Sequence, residues 1–215
     1  MESATELLDP DVSTAPASLP ASSDWTSPPF APGWIVGFAI VSRDGMLADA
    51  AGVMPDALKC DADQAFFERS LDNVDVVVHG RHSHEQQARS ALRKRLILSR
   101  QIRGLEPADQ TGRVFRWNPQ GATFEDALAA LDAPNARVGV VGAADVFGMF
   151  LSRFESFYLT RGPDIVLPGG RPVFPGVPGE TPEQVLGAAG LVPRGEVALD
   201  PDSKLVVAHW CRPGR

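Results

Sequence analysis

Hydrophobic positions in this chain fall into short β-branched runs, separated by stretches with helical spacing. The run at 35–41, Ile-Val-Gly-Phe-Ala-Ile-Val, predicts a first strand, and Ser42-Arg43-Asp44-Gly45 predicts a turn with Asp-Gly chemistry. A loop rich in small residues follows over 48–59. Residues 61–71 predict a helix, with Asp61 as its cap, Gln64 at the capping-box position, and Phe67 and Leu71 on one face. Val runs at 74–79 and 138–141 predict strands covered on both faces. Further strands are predicted at 95–99, 114–117, 157–160 and 205–210. Further helices are predicted at 83–91, at 123–131 capped by Thr123, over 145–153, and from Thr181-Pro182 onward. The stretch 168–179 is a long Pro/Gly loop.

Strands that alternate with helices define an α/β protein with a largely parallel sheet. Too few residues separate the last strands for helical crossovers, so an antiparallel edge is expected there. Residues 1–33 are rich in Ala, Ser and Pro and hold five acidic and no basic residues. Such a segment buries too little apolar surface to offset its ordering entropy, so a disordered or loosely docked tail is expected. Trp25, Phe30 and Trp34 are the side chains that would pin it to the body or to a second subunit. Residues 34–215 are read as one domain.

The 215 residues carry a net charge of −7, which argues against general nucleic-acid binding. Cys60 and Cys211 make neither a disulfide framework nor a zinc spacing. No apolar run approaches membrane-spanning length, and Met1-Glu2-Ser3-Ala4 lacks the features of a signal peptide. A cytoplasmic protein without membrane or nucleic-acid partners is expected. His79, His82 and His84 crowd together without a matching set of carboxylates or thiolates, so no metal site is expected. No dinucleotide fingerprint, Walker A loop or nucleophile elbow is present.

Twice a buried-type strand meets a small residue and turns toward a helix, at His79-Gly80-Arg81-His82 and at Val141-Gly142-Ala143. This geometry leaves backbone N–H groups where a phosphate can sit. Arg81 and Arg100 are the cations suited to phosphate, Arg100 to a ribose 2′-phosphate. Asp63 is the sharpest candidate acid. A carboxylate in an apolar pocket has a raised pKa and can relay a proton to a heterocyclic nitrogen.

In their order, these pieces resemble the dihydrofolate reductase superfamily, particularly the branch containing the reductase domain of riboflavin biosynthesis. Ser42 to Ala48 resembles that branch's "S-x-D-G-x-I-A", and Asp63 to Phe67 its acidic-then-aromatic helix. His79-Gly80-Arg81-His82 resembles "M-G-R-x-T". Lys94 to Arg100 resembles the strand that ends in a cofactor-binding Ser. Val140 to Ala143 resembles the "I-G-G" turn, Phe157 to Thr160 resembles "L-Y-L-T", and Val173-Phe174-Pro175 resembles a late "F-P". The resemblance spans roughly residues 34–210, and Ala143 stands where the family's turn has its second glycine.

It implies a dihydrofolate reductase-like, mostly parallel central sheet flanked by helices, with an antiparallel C-terminal edge. It implies a reductase that transfers a hydride from NADPH to a pterin- or pyrimidine-type heterocycle. Gly80, Arg81, His82, Ser99, Arg100, Gly142, Ala143 and Asp145 would hold the cofactor. Phe38 and Phe67 would contact substrate, and Asp63 and Thr160 would be catalytic. A homodimer is expected by analogy. Two alternatives are a ribosylaminopyrimidine reductase acting on a phosphorylated sugar, and a non-catalytic nucleotide- or pterin-binding module.

Overall fold

A computed structural model of the chain describes residues 30–81, 89–162, 165–200 and 205–214. In chain order its elements are β1 (Ile35–Val41), β2 (Met46–Ala48), α1 (Asp61–Asp72), β3 (Val76–Gly80), β4 (Lys94–Leu98), β5 (Leu105–Pro107), β6 (Val114–Trp117), α2 (Phe124–Ala130), β7 (Val138–Val140), α3 (Ala144–Phe150), β8 (Ser156–Arg161), β9 (Arg171–Pro172), α4 (Pro182–Ala188), β10 (Val192–Asp200) and β11 (Leu205–Cys211). Nine strands form one sheet in the order β10-β11-β8-β1-β7-β3-β4-β6-β5, and β2 pairs with β9 apart from it.

The six strands from β8 to β6 run parallel. The antiparallel edge is β11 on β8 and β10 on β11, as expected from the short connections. A second antiparallel strand, β5, closes the opposite edge. The Val runs are covered on both faces: Val76, Val77 and Val78 are wholly buried.

Alternation along β8 shows how the faces divide. Phe157 and Leu159 enter a core with Phe147, Phe150, Phe154 and Phe174. Tyr158 enters a second core on the other face, with Phe38, Phe66, Leu71 and Val77. Two glycines let elements approach the sheet. A Cβ at Gly37 would lie 2.2 Å from the Phe157 ring, and one at Gly139 would press on Val74 at 3.1 Å.

Helices α2 and α4 start as predicted. Thr123 accepts from the Asp126 N–H at 3.0 Å, and the Asp126 carboxylate accepts from the Thr123 N–H at 3.1 Å. Thr181 and Gln184 make the same reciprocal pair. Helix α1 differs. Its N-cap is Cys60, with no side-chain capping bond, and Asp61 is its first helical residue. Its buried face carries Phe66, Ser70 and Leu71 rather than Phe67 with Leu71. Phe67 sits half-buried beside that face, with its ring edge-on to Phe38 at 6.2 Å.

The helix predicted over 83–91 lies mostly outside the described residues, and its end is a single 3-10 turn at Ser90–Leu92. The Pro/Gly loop at 168–179 holds β9, which pairs with β2, the strand that follows the Asp-Gly turn. Residues 1–29 of the tail lie outside the described residues. Phe30 is buried and packs against Phe38 at 6.1 Å and Tyr158 at 6.4 Å, so the tail's end is pinned to the body. No described helix is long and apolar enough to cross a membrane.

Candidate active site

Because β8, β1, β7, β3 and β4 are parallel neighbours, their carboxyl ends line one edge of the sheet. The chain leaves β1 toward β3 and leaves β7 toward β8, in opposite directions across the sheet. Crevices that bind ligands in open α/β sheets open at such a reversal, outside the carboxyl ends. Of the residues singled out from the sequence, Gly80, Arg81, Ser99, Arg100, Gly142, Ala143 and Thr160 fall at or just beyond these strand ends.

On the β8 side, Asp63 and Thr160 meet. Asp63 stands in the first turn of α1, where a carboxylate also complements the helix dipole. Its side chain is hydrogen-bonded to that of Thr160 near the end of β8. Burial pushes the Asp63 carboxyl above its ordinary 3.8, and the Thr160 bond draws it partly back. Thr160 is 2% exposed and is held in register between Ile40 of β1 and Val207 of β11. One helical turn on from Asp63, Phe67 faces Phe38.

Below this pair lies a column of rings that the sequence reading missed. Phe38, Tyr158 and His209 are cross-strand neighbours on β1, β8 and β11. Their rings stack nearly parallel: Phe38 to Tyr158 at 5.6 Å and 9°, Tyr158 to His209 at 4.6 Å and 5°. The His209 Nε2 lies 3.1 Å from the Ser156 hydroxyl. Burial, and then the nearby Arg194 cation, lower the His209 pKa to about 4, so the ring is neutral at physiological pH. Burial likewise raises the Tyr158 phenol well above its ordinary value. Period-two alternation in Ser156-x-Tyr158-x-Thr160 carried a signal for one face. The partnership with His209 needed the β8–β11 register.

On the β7-β3-β4 side, the glycine turns also converge. The Gly80 N–H donates to the Gly142 carbonyl at 2.8 Å, which ties the end of β3 to the turn after β7. Gly142 has φ +99, where a side chain is strained, and the Gly142–Ala143 peptide is cis. Ala143 has φ −87 and ψ −156, extended backbone in which a methyl costs nothing. A Cβ at Gly80 would meet its nearest neighbour, Val146, only at 3.6 Å, so glycine is not required there by space in the protein.

Arg81 is exposed in the turn after β3. Ser99 is buried after β4, and its hydroxyl accepts from the Gln101 N–H at 3.3 Å, a local turn bond. Arg100 donates to the Asp145 carboxylate at 2.7 Å. His82 and His84 lie outside the described residues. The arrangement thus offers a carboxyl with a raised pKa beside packed aromatic rings at one end, and two exposed cations beside the tied glycine turns at the other.

Comparison with solved structures establishes the fold. A protein assigned to riboflavin biosynthesis in Shewanella sp. PV-4 superposes with a TM-score of 0.58 and 23% identity, over 83% of this chain and 98% of that one. Enterococcus faecalis dihydrofolate reductase, complexed with NADP(H) and RAB-propyl, gives a TM-score of 0.58 and 16% identity over 85% and 98%. A Thermotoga maritima diaminohydroxyphosphoribosylaminopyrimidine deaminase/5-amino-6-(5-phosphoribosylamino)uracil reductase gives 0.59 and 14% over 84% of this chain, which spans 57% of that longer chain. No family model matches the sequence, and no curated protein matches it. The chain therefore has the dihydrofolate-reductase-like fold, an α/β sheet whose antiparallel C-terminal hairpin sits beside β8.

Proposed function

We propose that this protein is an NADPH-dependent reductase that transfers a hydride to a pterin- or pyrimidine-type heterocycle. The observation that carries this reading is the Asp63–Thr160 pair. A carboxyl with a raised pKa, hydrogen-bonded to Thr160 near the end of β8 and one helical turn from the Phe38–Phe67 ring pair, suits a ring nitrogen that must be held or protonated. The fold's solved relatives include a reductase complexed with NADP(H), which supports the cofactor class.

The residues on the β7-β3-β4 side fit a phosphate-bearing nucleotide. Arg81 and Arg100 supply cations, and the Gly142 turn presents backbone at the strand ends. Bound there, the nicotinamide would supply the hydride. Asp63 holds the proton that balances hydride addition to a C=N bond, and delivers it toward the substrate nitrogen. Thr160 fixes the Asp63 carboxyl in position and lowers its pKa. Phe38 and Phe67 flank the crevice and orient a flat ring against the nicotinamide. By separating the carboxyl from water, the same walls sustain its raised pKa.

The experiment is a substrate screen. Dihydropterins and aminopyrimidines, with and without a phosphoribosyl group, are offered with NADPH while its absorbance is followed. Oxidation with one class, abolished in Asp63→Asn, supports the reading and names the substrate. If NADPH binds but no heterocycle is reduced, the protein is a binding module of the same fold.

A further inference from the structure

We propose that Asp145 is the residue that sets how strongly the cofactor's ribose phosphate is preferred, by competing with that phosphate for Arg100. The inference rests on the reductase reading above and concerns the same crevice.

Arg100 follows β4, and Asp145 lies in the first turn of α3, after β7. In the sheet β3 lies between those two strands, so the partners come from positions two strands apart, about 10 Å in a regular sheet. Their side chains reach across the end of β3 to close a 2.7 Å ion pair. A nucleotide laid from the Gly142 turn toward Ser99 must pass the same strand end, beneath or through this bridge.

Arg100 and Asp145 side chains are 81% and 80% exposed. An ion pair so open to water contributes little to stability and is readily exchanged. A phosphate on the ribose is a stronger, bidentate partner for guanidinium than a single carboxylate oxygen. To engage Arg100 it must displace Asp145 and then sit beside that carboxylate, a like-charge contact that a ribose without the phosphate does not suffer. A carboxylate near the ribose is also the group that accepts from an unphosphorylated 2′-hydroxyl. Asp145 therefore works against the phosphate twice and leaves Arg100 to favour it alone. The result is a site with only a modest preference for NADPH over NADH.

The competing explanation is structural: an acidic residue in a helix's first turn is stabilising whatever binds nearby. That role changes thermal stability and leaves nucleotide selectivity alone.

The test measures dissociation constants of NADPH and NADH by nicotinamide fluorescence, and of 2′,5′-ADP and 5′-AMP by calorimetry. The proteins are wild type, Asp145→Asn, Arg100→Gln and the double variant. In Asp145→Asn the NADPH/NADH affinity ratio rises about fivefold, and the 2′,5′-ADP/5′-AMP ratio rises with it. In Arg100→Gln the ratio falls toward one, and in the double variant Asp145→Asn raises it by less than in the wild-type background, because part of its effect runs through Arg100. Unchanged ratios in Asp145→Asn, with both nucleotides bound, overturn this inference and leave the reductase reading standing. Failure of wild type to bind any of the four overturns both.

Discussion

Asp63 on α1 and Thr160 on β8 share a side-chain hydrogen bond, although one belongs to the start of a helix and the other to the end of a strand far along the chain. Thr160 lies one residue before the carboxyl end of β8, and Asp63 lies in the first turn of α1. Burial raises the Asp63 pKa, so kcat/KM is expected to fall as pH rises through an apparent value above 3.8. In Asp63→Asn the rate drops by about 100-fold or more while NADPH affinity stays within a factor of two or so, because the carboxyl acts on the proton and not on the cofactor. Rate–pH profiles and a cofactor titration on the same preparation check this.

Thr160→Val gives the opposite sign from an ordinary loss of stability. The Thr160 bond lowers the Asp63 pKa, so its removal moves the bend in the pH profile to more alkaline values. Since valine fits a strand flanked by Ile40 and Val207, the fold persists. A profile that keeps its bend in place would separate Thr160 from the acid.

His209 predicts a pH dependence of stability. Its folded pKa of about 4 lies below the ordinary 6.5, so the unfolded chain takes up a proton that the folded ring refuses. The associated stability is complete above about pH 6.5 and is lost as pH falls toward 4, reaching about 2 kcal/mol by pH 5. His209→Phe keeps a ring against Tyr158 and removes the proton. Denaturant melts of both proteins at pH 7.5 and pH 5 should show a smaller acid loss in the variant.

The glycines at the ends of β3 and β7 separate by backbone geometry. Gly142→Ala places a Cβ at φ +99 and 3.1 Å from the Phe147 ring, and is expected to cost about 1–3 kcal/mol. Gly80→Ala meets nothing closer than 3.6 Å and should leave the melting temperature nearly unchanged. Thermal melts of the two variants check the contrast. Phe30→Ala opens the packing against Phe38 and Tyr158 and is expected to cost about 3 kcal/mol, readable in the same melts.

Legibility in the sequence followed how local the physics was. β1, with its seven apolar residues, was readable to the residue, and so were the caps at Thr123 and Thr181, because periodicity and capping act over four residues. Asp63 and Thr160 were each readable as candidates, from a helix start and a strand end. Their pairing was not, since it depends on α1 packing over β8. The short strands β2, β5 and β9 gave no alternation long enough to read. β10 opens with Val192-Pro193-Arg194-Gly195, a turn-like string whose strand character comes from pairing with β11, with a register shift at that point. Arg100 read as a phosphate cation, and only the structure showed Asp145 already holding it. Asp61 read as a cap because Asp often caps, yet Cys60 occupies that position and Asp61 begins the helix.

The reductase proposal requires that the carboxyl edge holding Gly80, Arg100 and Gly142 at one end and Asp63 and Thr160 at the other bind a nicotinamide nucleotide. Titration of NADPH into the purified chain, followed by nicotinamide fluorescence, tests this most directly. Saturable binding is expected, with a dissociation constant below about 100 μM, weakened in Arg100→Gln. No saturable change at that concentration would contradict it.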